Sequence, residues 1–248
     1  MITDKQFVPN TSTGSPFFFD DKHALNWQMS LSERFCLIKL LEKIKPEIAI
    51  EIGTSNGGSL QVISKYAKKV YAIDVDPTII DRLGSKFDNV EFLIGDSKII
   101  VPKLIVELEE NHKSIEFALV DGDHSSKGVK IDIENLLKYV PLKSLNIIMH
   151  DSFNPKCRKG MLAPNYKDNK HVHYVEIDYI SGGIIQNNNY REMWGGFGHV
   201  ILLAEKRLTQ LKIYQSQREL YRIAYLHSIH FVKNSHRFLR PIIKLFYK

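Results

Sequence analysis

The stretch IAIEIGTSNGGSL, residues 48–60, constrains the fold of this chain more than any other segment. An apolar run ends in an acid, and a turn rich in glycine and small polar residues then opens a helical pattern. A strand, a tight turn and a helix start in that order present backbone N–H groups and the positive end of a helix dipole to a ligand. The glycines fall at 53, 57 and 58, with Glu51 two positions before the first. This spacing departs from the G-x-G-x-x-G turn that brings a backbone against a pyrophosphate, which argues against a dinucleotide site.

Two more segments repeat the pattern. VYAID, residues 70–74, is an apolar run ending in Asp74, about twenty residues past the turn, where a carboxylate can accept hydrogen bonds from ribose hydroxyls. Asp76 before Pro77 reads as the N-cap and first position of the next helix. VEFLI, residues 90–94, leads into Gly95, Asp96 and Ser97. Strands of this kind, each followed by a helical segment, predict a parallel sheet with its ligand groups at the C-terminal edge.

The second half adds reactive groups. IEFALV, residues 115–120, runs into Asp121, Gly122, Asp123, His124 and Ser125, and LNIIM, residues 145–149, runs into His150, Asp151 and Ser152. Continuous apolar runs of this length predict strands buried on both faces. Carboxylates gathered at such strand ends repel one another unless protonated, hydrogen-bonded or bridged by a cation. A histidine among them titrates near neutrality and suits general-base work.

The E-x-G-x-x-x-G turn resembles motif I of the class I S-adenosylmethionine (SAM) dependent methyltransferases, whose turn holds the methionine end of the cofactor. The resemblance covers residues 30–206 and implies an α/β domain: a Rossmann-like, seven-stranded, mostly parallel sheet with helices on both faces and the last strand antiparallel at the edge. It also implies that Glu51, Gly53, Thr54, Ser55, Gly57, Asp74, Asp96, Ser97 and Asp121 bind SAM, with Asp96 near the adenine amino group and Ser97 against the ring. VDGDHS and MHDSF resemble the subgroup that modifies sugars in antibiotic and surface-glycan pathways. They are also similar in placement to the acids of the catechol-type, metal-dependent O-methyltransferases. Carried over by position, Asp121, His150 and Asp151 are the metal candidates and His124 the general base, where that family has lysine. His150 replaces a carboxylate, and since hard Mg²⁺ prefers oxygen, Mn²⁺ or no metal stays open. The implied activity is methyl transfer from SAM to a hydroxyl of a sugar or other small hydroxylated acceptor. An RNA-modifying methyltransferase and a non-catalytic scaffold are the alternatives. Asn154-Pro155 is followed by Lys156 and Cys157 rather than by Pro and an aromatic residue, which argues against base N-methylation.

With 248 residues, 44% of them apolar, the chain can bury one large α/β core. Cys36 and Cys157 form neither a disulfide framework nor a zinc pattern. No basic-then-apolar leader and no run of membrane-spanning length is legible, so a cytoplasmic setting is expected. Residues 1–29 read as an extension carrying Phe17, Phe18 and Phe19. Ser30 to Glu33 fits a capping box opening a helix to about Lys43. Helices are predicted over 58–67, 77–86, 98–110 and 126–139, and strands over 172–180 and 198–205. The irregular segment 152–198, with Trp194 near its end, is expected to form much of the acceptor pocket.

The last segment, 207–248, holds nine Lys/Arg against the single acid Glu219, a net +8 in a chain of net +6, so the remainder carries −2. A helix is predicted from Arg218 to about Arg240, interrupted at Pro241. A basic amphipathic tail suits an anionic membrane, here the inner face of the cell membrane, more than nucleic acid; packing on its own domain or in a homo-oligomer is the simpler expectation.

Overall fold

The computed structural model describes residues 25–187 and 190–234. Phe17, Phe18, Phe19, Asn188, Asn189 and residues 235–248 lie outside these residues. Helix α1 (Leu31–Ile44) starts on the predicted capping box: the Ser30 side chain accepts from the Glu33 N–H while Glu33 accepts from the Ser30 N–H. Lys45 closes it in a left-handed conformation ahead of Pro46. Strand β1 (Ile48–Ile52) follows, buried along its whole length. The chain then alternates through α2 (Leu60–Tyr66), β2 (Lys69–Asp74), α3 (Ile79–Leu83), β3 (Val90–Ile94), α4 (Ser97–Glu110), β4 (Ile115–Val120), α5 (Ser126–Leu136) and β5 (Ser144–His150).

Beyond β5 the order becomes α6 (Pro155–Leu162), β6 (Val172–Ile180), a hairpin of β7 (Gly183–Asn187) and β8 (Tyr190–Trp194), β9 (Phe197–Leu203), β10 (Ile213–Tyr214), α7 (Arg218–Leu226) and α8 (Ile229–Asn234). The main sheet has the order β10-β6-β9-β5-β4-β1-β2-β3. It contains eight strands, one more than predicted, because two residues of β10 pair with β6. The antiparallel strand is β9, and it lies between β5 and β6 rather than at the edge. β7 and β8 form a separate two-stranded sheet.

Period-two alternation distributes the core over two faces. Ile48, Ile50 and Ile52 of β1 join the helix residues Val101, Leu104, Ile105, Val129 and Ile133 in one cluster. Ala49 joins Leu37, Leu41, Leu60 and Ile63 in the other. Glu51 alternates with the same face as Ala49, which explains its complete burial.

Residues 207–214, which the sequence assigned to the tail, run against the sheet. Leu211 is buried in the core, and the buried Arg207 donates to the backbone oxygens of Val172, Thr209, Lys167 and Asn169. Past them, Arg158 of α6, Asp178 of β6 and Gln217 before α7 are tied together. The Arg158 guanidinium pairs with both Asp178 oxygens, at 2.5 and 3.2 Å, and lies 4.1 Å from the centre of the Tyr221 ring. Asp178 also accepts the Gln217 N–H at 3.1 Å.

Candidate active site

Strand order reverses between β1 and β4, the switch point where open α/β sheets bind ligands outside their strands' carboxyl ends. At this edge the chain turns sharply after β1. Gly53 has φ +88°, and a Cβ there would lie 2.2 Å from the Asp121 carbonyl oxygen, so only glycine fits. Its N–H donates to the Ile73 carbonyl at 2.9 Å. The Asp74 carboxylate at the tip of β2 accepts the Thr54 and Ser55 N–H groups at 3.0 and 2.9 Å, and on its other oxygen the Asp76 N–H at 2.9 Å. Asp74 therefore shapes the turn itself.

Below the turn, Glu51 accepts the Ser59 hydroxyl at 2.5 Å, and burial pushes its carboxyl up to about 8. Its second oxygen and the Thr54 hydroxyl are both buried without a hydrogen-bond partner among the described residues. Gly57 and Gly58 lie against the segment Leu25–Trp27. At the tip of β3, Asp96 caps α4 by accepting the Lys98 N–H at 2.9 Å. The Ser97 hydroxyl is committed to Asp132 of α5 at 2.6 Å, whose carboxyl burial raises to about 6.

The tips of β4 and β5 bring the second set together. Asp121 Oδ1 lies 2.8 Å from His150 Nδ1 and 3.3 Å from His124 Nε2. Asp151 Oδ2 is 3.6 Å from that same His124 nitrogen. His150 Nε2 meets Glu33 Oε1 at 3.1 Å, so both its ring nitrogens face carboxylates. Burial opposes ionisation of Asp121, but His150 and His124 outweigh it and hold the carboxyl down at about 2. Burial also works against charge on His150, yet Asp121, Asp151 and Glu33 keep it protonated well above the usual histidine range. The hydrogen bond to Asp121 raises His124 above its ordinary value, against a smaller effect of burial. Asp151 is pushed upward by its own burial.

Two structural features hold this cluster. Asp151 adopts φ +63°, uncommon for a residue with a side chain, and its Oδ1 accepts the Gly195 N–H at 2.7 Å. Glu33 accepts the Gly196 N–H at 2.6 Å as well as its own cap, joining α1, β5 and the loop before β9. In the sequence the capping box accounts for Glu33 fully, so no unexplained signal points to its link with His150. Trp194 stands 5.8 Å from the His124 ring, centre to centre, and donates its indole N–H to Glu192 at 3.1 Å.

This topology has counterparts among known proteins. Residues 50–152 match the family model described as "Methyltransferase domain". The fold is that of the class I SAM-dependent methyltransferases. A Streptococcus thermophilus protein named as a hemolysin is similar to the chain at 18% identity with a TM-score of 0.50, over 80% of this chain and 75% of the other. The O-methyltransferase TomG from Streptomyces achromogenes, solved with SAM, gives 12% identity and a TM-score of 0.49, over 71% of this chain and 82% of the other. Among curated sequences, the "Probable ribosomal RNA small subunit methyltransferase A" of Pyrococcus abyssi is 29% identical over 91 residues, 33% of this chain. The match spans about a third of that relative's length, 34%.

Proposed function

We propose that the protein transfers the methyl group of SAM to a hydroxyl of a sugar or other small hydroxylated acceptor, with His124 as general base. The observation that carries this reading is the position of His124: between Asp121 and Asp151, beside Trp194, at the same sheet edge as the glycine turn. SAM brings a methyl on a sulfonium, which is already electrophilic, so the protein's task is alignment and removal of the hydroxyl proton.

The turn suits that cofactor. Gly53 opens the backbone, Asp74 retains unused acceptor capacity for ribose hydroxyls, and the orphaned Glu51 and Thr54 oxygens underlie the methionine end. Ser55, Gly57, Asp96, Ser97 and Asp121 complete the proposed set. With the Nε2–H of His124 directed to Asp121, Nδ1 carries the lone pair that takes the acceptor's proton. Asp121 and Asp151 then stabilise the imidazolium that results.

Asp121, His150 and Asp151 each offer a ligand atom, all within 4.8 Å of one another, a spacing that fits a divalent cation. Such an ion, Mg²⁺ or Mn²⁺, would be held by these three residues and would polarise the acceptor hydroxyl. Its binding requires His150 to give up the proton it now shares with the carboxylates.

His124→Gln keeps a polar ring-sized side chain but removes the base. It should lower kcat by about 10²-fold or more while leaving SAM affinity within a factor of a few. In the unaltered protein kcat should rise with pH through a value above 6.5, because the hydrogen bond to Asp121 raises His124. Methyl transfer from radiolabelled SAM to a panel of sugars checks both, and an unchanged kcat in the variant removes His124 as the base. The net +8 of residues 207–248 and the ribosomal-RNA name of the Pyrococcus relative favour a second reading, transfer to RNA. Steeply salt-dependent RNA binding by the protein would support it.

A further inference from the structure

A second concavity lies on the other side of α6 from the catalytic cluster. Cys157 of α6 faces His124, its thiol 3.6 Å from the His124 carbonyl oxygen. The opposite face of the helix, with Pro155, Arg158, Lys159 and Leu162, forms one wall of a cleft of about 490 Å³. The other wall is α7, through Arg218, Tyr221, Arg222 and Tyr225. This volume lies in the range of small-molecule sites, roughly 300–1,000 Å³.

The charge of the lining is one-sided. Four of its residues are Arg or Lys and none is an acid. Arg158 is neutralised by the buried Asp178 and serves as the floor, stacked on Tyr221. Arg222 has only the exposed Glu219, at 3.5 Å. Lys159 and Arg218 have neither a hydrogen-bonded nor an ion-paired side-chain partner among the described residues. Cations converging on one concave surface repel each other and gain when an anion enters between them. Arginine side chains favour phosphate, which they engage through paired N–H groups, whereas the Tyr221 ring is already covered by Arg158 and by the near-parallel Tyr225 ring.

We propose that the cleft between α6 and α7 binds a soluble polyphosphate group, either free or as part of a nucleoside diphosphate, with Lys159, Arg218 and Arg222 on the phosphates. The site is separate from the transfer chemistry, and its occupancy does not require the reaction. The cations sit on two helices that the Arg158–Asp178 pair fixes relative to each other, so the cleft is preformed.

The test is calorimetric titration of the full chain with uridine diphosphate, with inorganic pyrophosphate, and with phosphatidylglycerol vesicles, comparing it with the double variant Lys159→Gln/Arg218→Gln. Both residues are exposed, and SAM titration of the same preparations reports whether the variant keeps its fold. The expected result is binding of both uridine diphosphate and pyrophosphate, weakened at least tenfold in the variant, with SAM affinity unchanged. Uridine diphosphate binding that the variant leaves intact would overturn the proposal. So would binding to the vesicles alone, or no binding of either soluble probe below millimolar concentration.

Discussion

At the scale of single residues, the site depends on groups that only one side chain could replace. Gly53 combines φ +88° with a Cβ position 2.2 Å from the Asp121 carbonyl, so Gly53→Ala must move either the turn or the tip of β4. A loss of more than about 1 kcal/mol in unfolding free energy is expected, read from a shifted denaturant midpoint. Glu51 makes a different prediction. An acid whose folded pKa is about 8 stays protonated while the unfolded chain ionises near 4.5, so the folded state binds the extra proton between those values. Its contribution to stability therefore falls as pH rises from about 4.5 to 8 and then levels off. Glu51→Gln keeps the shape and cannot ionise. Relative to the unaltered protein, its melting temperature should climb across that interval, and parallel profiles from pH 5 to 8 would contradict the assignment.

At the scale of elements, β1 to β5 and α1 were legible because each carries a local signal strong enough to survive tertiary context. The strands are predominantly apolar segments broken only by isolated residues such as Glu51, Glu116 and Asn146, and α1 has a capping box that the structure reproduces atom for atom. The later elements lacked such signals. α6 consists mostly of Lys, Arg, Cys and Gly, and its start, the Asn154 cap with Pro155 at the first position, reads in the sequence only as a fragment of another motif. β7 and β8 do not alternate cleanly, and β10 is two residues long, so only pairing defines it. In the site, the strand-tip acids and histidines were readable as types, but their wiring was not. Ser97 joins Asp132, and Glu33 reaches His150 across 117 positions, contacts that no spacing rule encodes. One pair organises the late elements: Asp178 holds Arg158, which is buried beside Tyr221 and Gln215. Asp178→Ala leaves that guanidinium buried without its counter-charge and should cost about 3–5 kcal/mol, measured by chemical denaturation. Near-neutral behaviour would mean that water reaches Arg158.

At the scale of the whole molecule, two cores on opposite faces of one sheet fix the strand tips along a single edge, and every group assigned to cofactor or catalysis lies on that edge or on α1 beside it. No helix among the described residues is long and apolar enough to cross a membrane. The part of the basic segment that is described folds back as β10, α7 and α8, with Ala224 packed against Phe153 and Met193. The central claim is that this edge holds SAM for methyl transfer. Calorimetric titration with SAM and S-adenosylhomocysteine, with and without Mg²⁺ or Mn²⁺, addresses it most directly. Micromolar binding of both, weakened at least tenfold in Asp74→Asn, is the predicted result, and tightening by metal would support the Asp121, His150 and Asp151 site. No binding of either ligand under any condition, by protein that melts cooperatively, would contradict the account and leave the fold as a scaffold.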